Sequence, residues 1–224
     1  MKTLVKNIRA IDPALGLDEV CDILIDGDRI AEVGQDLSAD GAEILDRAGC
    51  IAVPGLVDIH VHLRDPGQEY KETIETGTAA AAHGGFTGIC SMPNTIPATD
   101  NAATIDYVLD RARSAGHCRV YPSGACTMGL KGESLAEIGD MAAHGAVAFT
   151  DDGRGVQSAG MMRRVMDYAK MFNCVVMSHC QDEELVGPGQ VNEGVVSTRL
   201  GVAGWPGAGE ELQIQRDIAL SELT

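Results

Sequence analysis

Apolar and polar positions alternate over short stretches in the first fifty residues, and the pattern changes after Pro54. Residues 4–8, 20–25 and 29–33 are β-rich pieces, and Asp26-Gly27-Asp28 between the last two is a hairpin-turn signal. Residues 1–53 are therefore predicted to form a small β domain, and residues 54–224 a second domain of different character. Beyond Pro54, short apolar runs are each followed by an amphipathic stretch. The predicted strands cover 56–63, 87–92, 119–127, 146–150 and 174–178, and the predicted helices 71–83, 101–115, 134–144, 159–172 and 209 to the end. Such βα alternation implies an α/β fold of parallel strands joined by crossovers, either a doubly wound sheet or a barrel. No GxGxxG follows the first of these strands, which favours the (β/α) barrel over a dinucleotide-binding sheet. Residues 187–207, with the single tryptophan Trp205, show no periodicity and read as a long irregular segment, either a lid or a plain connection.

Charge narrows the range of partners. Lys and Arg number 17 against 33 Asp and Glu, a net charge of −16. That field repels phosphate backbones and anionic lipid heads, so neither nucleic acid nor a membrane surface is an expected partner. No apolar run approaches the ~20 residues of a membrane span, and the N-terminus lacks a long hydrophobic core of the secretory type, so a cytoplasmic protein is expected. Seven cysteines, odd in number and without CxxC spacing, read as reduced packing residues, with Cys180 beside His179 the one of chemical interest.

The chemistry gathers where predicted strands end. His60-Val61-His62 closes the first strand of the second domain, and alternation on a strand puts both imidazoles on one face, with Cβ atoms about 7 Å apart. One metal ion with ~2.1 Å Zn–N bonds can reach both. The same alternation is expected to put Asp58 and Arg64 on that face. The fourth strand ends in Asp151-Asp152-Gly153, where either carboxylate is a candidate ligand and a turn or helix cap is the plain alternative. His179 ends the fifth strand, and Asn94, in Pro93-Asn94-Thr95, ends the second. In a (β/α) barrel these ends share one face, the one that carries active sites. His83, His117 and His144 follow helices instead and suit the negative ends of helix dipoles.

Residues 53–67 (VPGLVDIHVHLRDPG), 91–95 (SMPNT), 149–153 (FTDDG) and 178–182 (SHCQD) resemble the dihydroorotases of the amidohydrolase superfamily. The resemblance covers essentially the whole chain. It implies a (β/α)8 barrel of the metal-dependent hydrolase type with a small β domain, here truncated to about five βα units. It also implies reversible cyclisation of N-carbamoyl-L-aspartate to dihydroorotate in pyrimidine synthesis, with one or two zinc ions. Carried over by position, His60, His62 and His179 match metal ligands, Asp152 matches a carboxylate that bridges two metals, and Arg64 and Asn94 match groups that hold the substrate carboxylate. Hydantoinases and allantoinases place a carboxylated lysine at the end of strand four. This chain has none there, its nearest being Lys131 and Lys170.

The family pattern further needs a histidine on a sixth strand and an aspartate, the proton shuttle, on an eighth. The chain is therefore expected to be the N-terminal part of a longer protein and inactive alone, its acid/base aspartate lying beyond Thr224. The expected partner is a small-molecule substrate, with a homo-oligomer or a complex with another pyrimidine-pathway enzyme as the assembly. Two other readings stand beside this one: another cyclic amidohydrolase such as a dihydropyrimidinase, hydantoinase or allantoinase, and a non-catalytic dihydroorotase-like scaffold subunit.

Overall fold

A bulge shapes the first strand, β1 (Lys2–Asp12), which pairs antiparallel with β2 (Leu17–Asp26). Between Val5 and Ile8 it takes three steps against two on its partner, and the extra residue is accommodated with Asn7 at φ 60°. Asparagine tolerates this left-handed backbone better than a branched residue does. The freed Asn7 N–H donates to the buried Asp22 carboxylate at 3.0 Å, joined by Leu37 N–H at 3.1 Å and Lys6 Nζ at 3.2 Å. Led by the Asn7 bond, these donors outweigh burial and hold Asp22 below its ordinary carboxylate pKa. β3 (Arg29–Gly34) completes the hairpin through a turn with Gly27 at φ 63°, which glycine adopts without steric cost. Two further strands, β4 (Glu43–Asp46) and β5 (Ile51–Ala52), run parallel to β1. The periodicity gave no sign of either, because four and two residues are too few to carry a pattern.

The computed structural model describes residues 1–224 and divides them into two compact units, Met1–Gly55 and Leu56–Thr224. The second unit is built on a parallel sheet in which five strands lie in sequence order: β6 (Leu56–Val61), β7 (Phe86–Ser91), β8 (Arg119–Gly124), β9 (Ala148–Phe149) and β10 (Val175–Val176). Helices α1 (Ile74–His83), α2 (Ala102–Ala115), α3 (Ile138–Ala143) and α4 (Ala159–Met171) make the crossovers. Their starts are set locally: Thr73, Asn101 and Ser158 are N-caps whose side chains accept from N–H groups of the first turn.

Packing between helices and sheet forms two apolar clusters. One centres on Ile105, Met141, Phe149, Met162 and Val165, the other on Leu63, Ile74, Ile89, Val108 and Val120. On the other side of the sheet Val57, Ile59, Val147 and Val175 remain exposed and, with Tyr121 and Met177, border an apolar hollow of about 300 Å³.

Past β10 the chain forms α5 (Glu183–Val186), β11 (Val191–Asn192), α6 (Val195–Leu200), β12 (Gly204–Trp205) and the long α7 (Ala208–Leu223). Residues 187–207, expected to be irregular, thus contain a short parallel ladder of β11 with β12, pairing Val191 with Gly204 and Asn192 with Trp205. No helix of the chain is long and apolar enough to cross a membrane.

Candidate metal centre

Four segments bring their polar residues to the carboxyl end of the parallel sheet: the end of β6 and the loops after β7, β9 and β10. His60 and His62 leave β6 with ring centroids 5.2 Å apart and edge-on at 65°. Asp152, only 6% exposed, lies beneath them, its Oδ1 3.2 Å from His60 Nε2 and its Oδ2 3.5 Å from His62 Nε2. One ligand atom from each of these three residues falls within 4.8 Å of the others. His179, arriving from β10, places Nδ1 3.4 Å from Asp152 Oδ1. The neighbouring carboxylate does something else. Asp151 turns inward and accepts from the N–H groups of Cys126 (2.8 Å) and Thr127 (3.1 Å) and from the Thr127 hydroxyl, tying β9 to the segment after β8. Burial pushes its carboxyl above the ordinary value despite these bonds.

Asn94 settles where the protons of this cluster lie. Its Nδ2 donates to Asp152 Oδ2 at 3.0 Å, since a carboxylate only accepts, so its Oδ1, 2.9 Å from His62 Nδ1, receives a proton from that ring. His62 therefore carries hydrogen on Nδ1 and turns the bare Nε2 lone pair toward Asp152. His179 follows the same logic, with Nε2 3.2 Å from the accepting Gln181 Oε1 and Nδ1 left to face the carboxylate. Lone pairs that converge on a carboxylate without a proton between them repel unless a cation or an added proton joins them. Nitrogen and oxygen donors of this kind suit zinc and other first-row divalent ions. The electrostatics correspond to the added proton: burial pushes the Asp152 carboxyl up, but a hydrogen bond from His179 and the charge of the facing imidazoles together hold it below the usual range. The same bond to Asp152 raises His179, against the opposing effect of burial.

The structure gathers His60, His62, Asp152, His179 and Asn94, and shows three details that the sequence did not carry. Asn94, which the resemblance assigns to the substrate carboxylate, is hydrogen-bonded to both His62 and Asp152. Asp58, expected on the face of the two imidazoles, has its Oδ1 accepting from the His60 backbone N–H at 3.0 Å. Arg64 does not continue the strand face, because β6 ends at Val61 and Arg64 adopts φ 59°. In that loop it is Asp65 that is anchored, accepting from Tyr107 Oη at 2.8 Å with Arg111 Nε at 3.8 Å. A cavity of about 420 Å³ opens beside the cluster, lined by His60, Asp152, His179, Gln181, Trp205 and Glu210, with no lysine in its wall. The place of Glu210 in that wall had no signal in the sequence, since it is one of two adjacent acids in the first turn of α7.

Comparison with known proteins agrees with this architecture. Residues 49–224 match the family described as Dihydro-orotase-like. The dihydroorotase of Syntrophotalea carbinolica is 55% identical over 224 residues, covering 100% of this chain and 53% of the relative. That of Geobacter sulfurreducens is 51% identical over 225 residues with the same coverage. This chain spans about half the length of these curated relatives. Among solved structures, an L-hydantoinase (dihydropyrimidinase) from Arthrobacter aurescens superposes with a TM-score of 0.83 at 25% identity, over 99% of this chain and 50% of that one. A D-hydantoinase (dihydropyrimidinase) from Thermus sp. superposes at 0.73 with 26% identity, over 99% and 50%. With the family pattern running through β6 to α7 and half of the residues shared with curated dihydroorotases, this chain belongs to the dihydroorotase-like family.

Proposed function

We propose that the full-length protein is a cytoplasmic, zinc-dependent dihydroorotase, closing N-carbamoyl-L-aspartate to (S)-dihydroorotate with loss of water, and reversibly opening the ring, in pyrimidine synthesis. The observation that carries this reading is Asp152, which takes the end of β9 where lysine-dependent relatives need a carboxylated lysine, and sits within 3.5 Å of three imidazoles. The five-stranded sheet is then part of a (β/α)8 barrel, and its exposed apolar face part of the barrel interior.

His60, His62 and His179 would hold a divalent cation as neutral imidazoles, with Asp152 as the anionic ligand. A divalent cation held there supplies Lewis acidity toward the ring amide and makes water a nucleophile at neutral pH. Asn94 keeps the His62 proton on Nδ1, so the ligating nitrogen is ready without rearrangement. Arg64 supplies a planar fork for the substrate carboxylate, which lysine would not reproduce. In a chain of net charge −16 such a local cation is what an anionic substrate requires.

A substrate panel on the purified zinc-loaded full-length protein tests the reading. Turnover of dihydroorotate with little or none of hydantoin, dihydrouracil or allantoin is expected. Rapid hydantoin turnover without dihydroorotate turnover would replace it with a hydantoinase. Less than one zinc per chain and no turnover would mark a scaffold subunit.

A further inference from the structure

Helix α7 carries buried polar side chains where it meets the segment that bears His179. Gln213 is 3% exposed and Asp217, one turn later, 8%. Gln213 Oε1 accepts from the Gln181 backbone N–H at 3.2 Å, and its Nε2 donates to the His179 carbonyl at 3.4 Å. A primary amide presents donor and acceptor side by side, so this side chain pairs with residues 179 and 181 much as a neighbouring strand would. Asp217 Oδ2 accepts from Ser178 Oγ at 2.5 Å, so α7 holds the Ser178 side chain before His179 and the backbone at and after it.

The segment that follows Asp152 is fastened at the same place. Gly155, at φ 62°, runs so close that a Cβ there would stand 2.3 Å from the His179 carbonyl oxygen and 3.0 Å from Gln213 Nε2. Gln157 Nε2 donates to the Gln181 carbonyl at 2.9 Å, and Arg216 Nη1 donates to the Gln157 carbonyl at 2.8 Å. The chain after Asp152 and the chain around His179 are thus tied to each other and to one face of one helix.

We infer that Gln213 is a positioning residue for the metal centre, holding His179 in register with Asp152 from behind. The inference rests on the reading of His179 and Asp152 as ligands. An apolar contact would dock α7 onto the sheet equally well; buried amide and carboxylate groups cost free energy unless paired, and here they pair with residues 178, 179 and 181 around the ligand. Supporting groups of this kind commonly change metal affinity or activity by about 10–100-fold when removed.

The test is Gln213→Met in the full-length protein, a substitution of similar length without hydrogen-bonding groups. Zinc affinity, measured by competition with a chromophoric chelator, is expected to fall about tenfold, with kcat reduced and KM within about twofold of wild type. The visible spectrum of the cobalt-substituted variant is expected to change. A glutamine that only docks the helix would lower the melting temperature and leave zinc affinity and the cobalt spectrum as in wild type, and that result overturns the inference. Should Gln213→Met not fold, Ser178→Ala breaks the adjoining bond more gently and is expected to weaken zinc in the same direction; unchanged affinity there counts against the inference. A wild-type protein that binds zinc but does not turn over dihydroorotate would sink the substrate reading while the chelator competition still decides on Gln213. A wild type that binds no divalent cation overturns both.

Discussion

Asn94 holds Asp152 through a 3.0 Å hydrogen bond from its Nδ2, and the same amide, through Oδ1, fixes the tautomer of His62. One neutral side chain thereby orients two ligand candidates on strands that are not neighbours. Asn94→Leu keeps the approximate volume and removes both bonds. Zinc affinity of the full-length protein is expected to fall by about 10–100-fold, read by chelator competition, with little loss of fold stability because Asp152 borders the cavity and the His62 side chain is itself partly exposed. Asn94→Asp should be at least as harmful, since it sets a second carboxylate against Asp152 and repels it.

Asp152 itself allows a sharper expectation. Its negative charge compensates the cation, and Asp152→Asn keeps the shape while discarding that charge. Zinc content after dialysis is expected to drop below that of every single histidine variant, and dihydroorotate turnover to fall by at least about 10³-fold, as for an essential electrostatic group. Treating the wild type with a strong chelator should abolish turnover, and zinc or cobalt should restore it. Retained activity in the chelated protein would remove the metal centre from the mechanism.

Much of this centre could be read from the sequence because each ligand candidate sits at the end of an apolar run, where period-two alternation fixes the facing of His60 and His62 and where a parallel sheet collects its loops. What could not be read depends on contacts distant in sequence. Asp151 and Asp152 are indistinguishable by type, and only the donors of Cys126 and Thr127 draw one inward. The third strand was expected to run to Thr127 but stops at Gly124, because Ala125 N–H is taken by the Thr99 carbonyl and Thr127 bridges Leu135. That bridge also delays α3, predicted from residue 134 and observed from Ile138. Gln213 gave no signal, since one glutamine in an amphipathic helix is ordinary.

The loop that carries Arg64 depends on a residue that never touches the site. Asp65 is 2% exposed and accepts from Tyr107 Oη at 2.8 Å, with Arg111 at 3.8 Å as its nearest cation. The carboxylate holds the Tyr107 phenol above its ordinary pKa, mainly through that hydrogen bond. Tyr107→Phe leaves a buried anion short of a donor and is expected to cost about 1–3 kcal/mol, measured by urea denaturation. If Asp65 fixes Arg64, the same variant of the full-length protein should raise KM for dihydroorotate several-fold and leave zinc affinity unchanged, separating this loop from the metal centre.

The last prediction concerns pH and a histidine outside the site. His144, at the carboxyl end of α3, places Nδ1 3.0 Å from both carboxylate oxygens of Asp106 on α2, with Asp140 Oδ1 3.9 Å from its Nε2. The hydrogen bond to Asp106, reinforced by its charge, raises the His144 pKa above 6.5. A histidine whose pKa is higher in the folded than in the unfolded chain binds its proton more tightly when folded. Its stabilising effect is therefore full below the unfolded value and is lost as pH rises through the folded one. The ring is exposed and the pair is screened by water, so the effect is expected to be small. Stability measured for wild type and His144→Gln should differ most near pH 5–6, with Asp106 still ionised, and converge by about pH 9. The difference cancels every other titrating group, which both proteins share. A gap that widens toward alkaline pH would mean that His144 is held in its neutral form, and would contradict the pairing with Asp106.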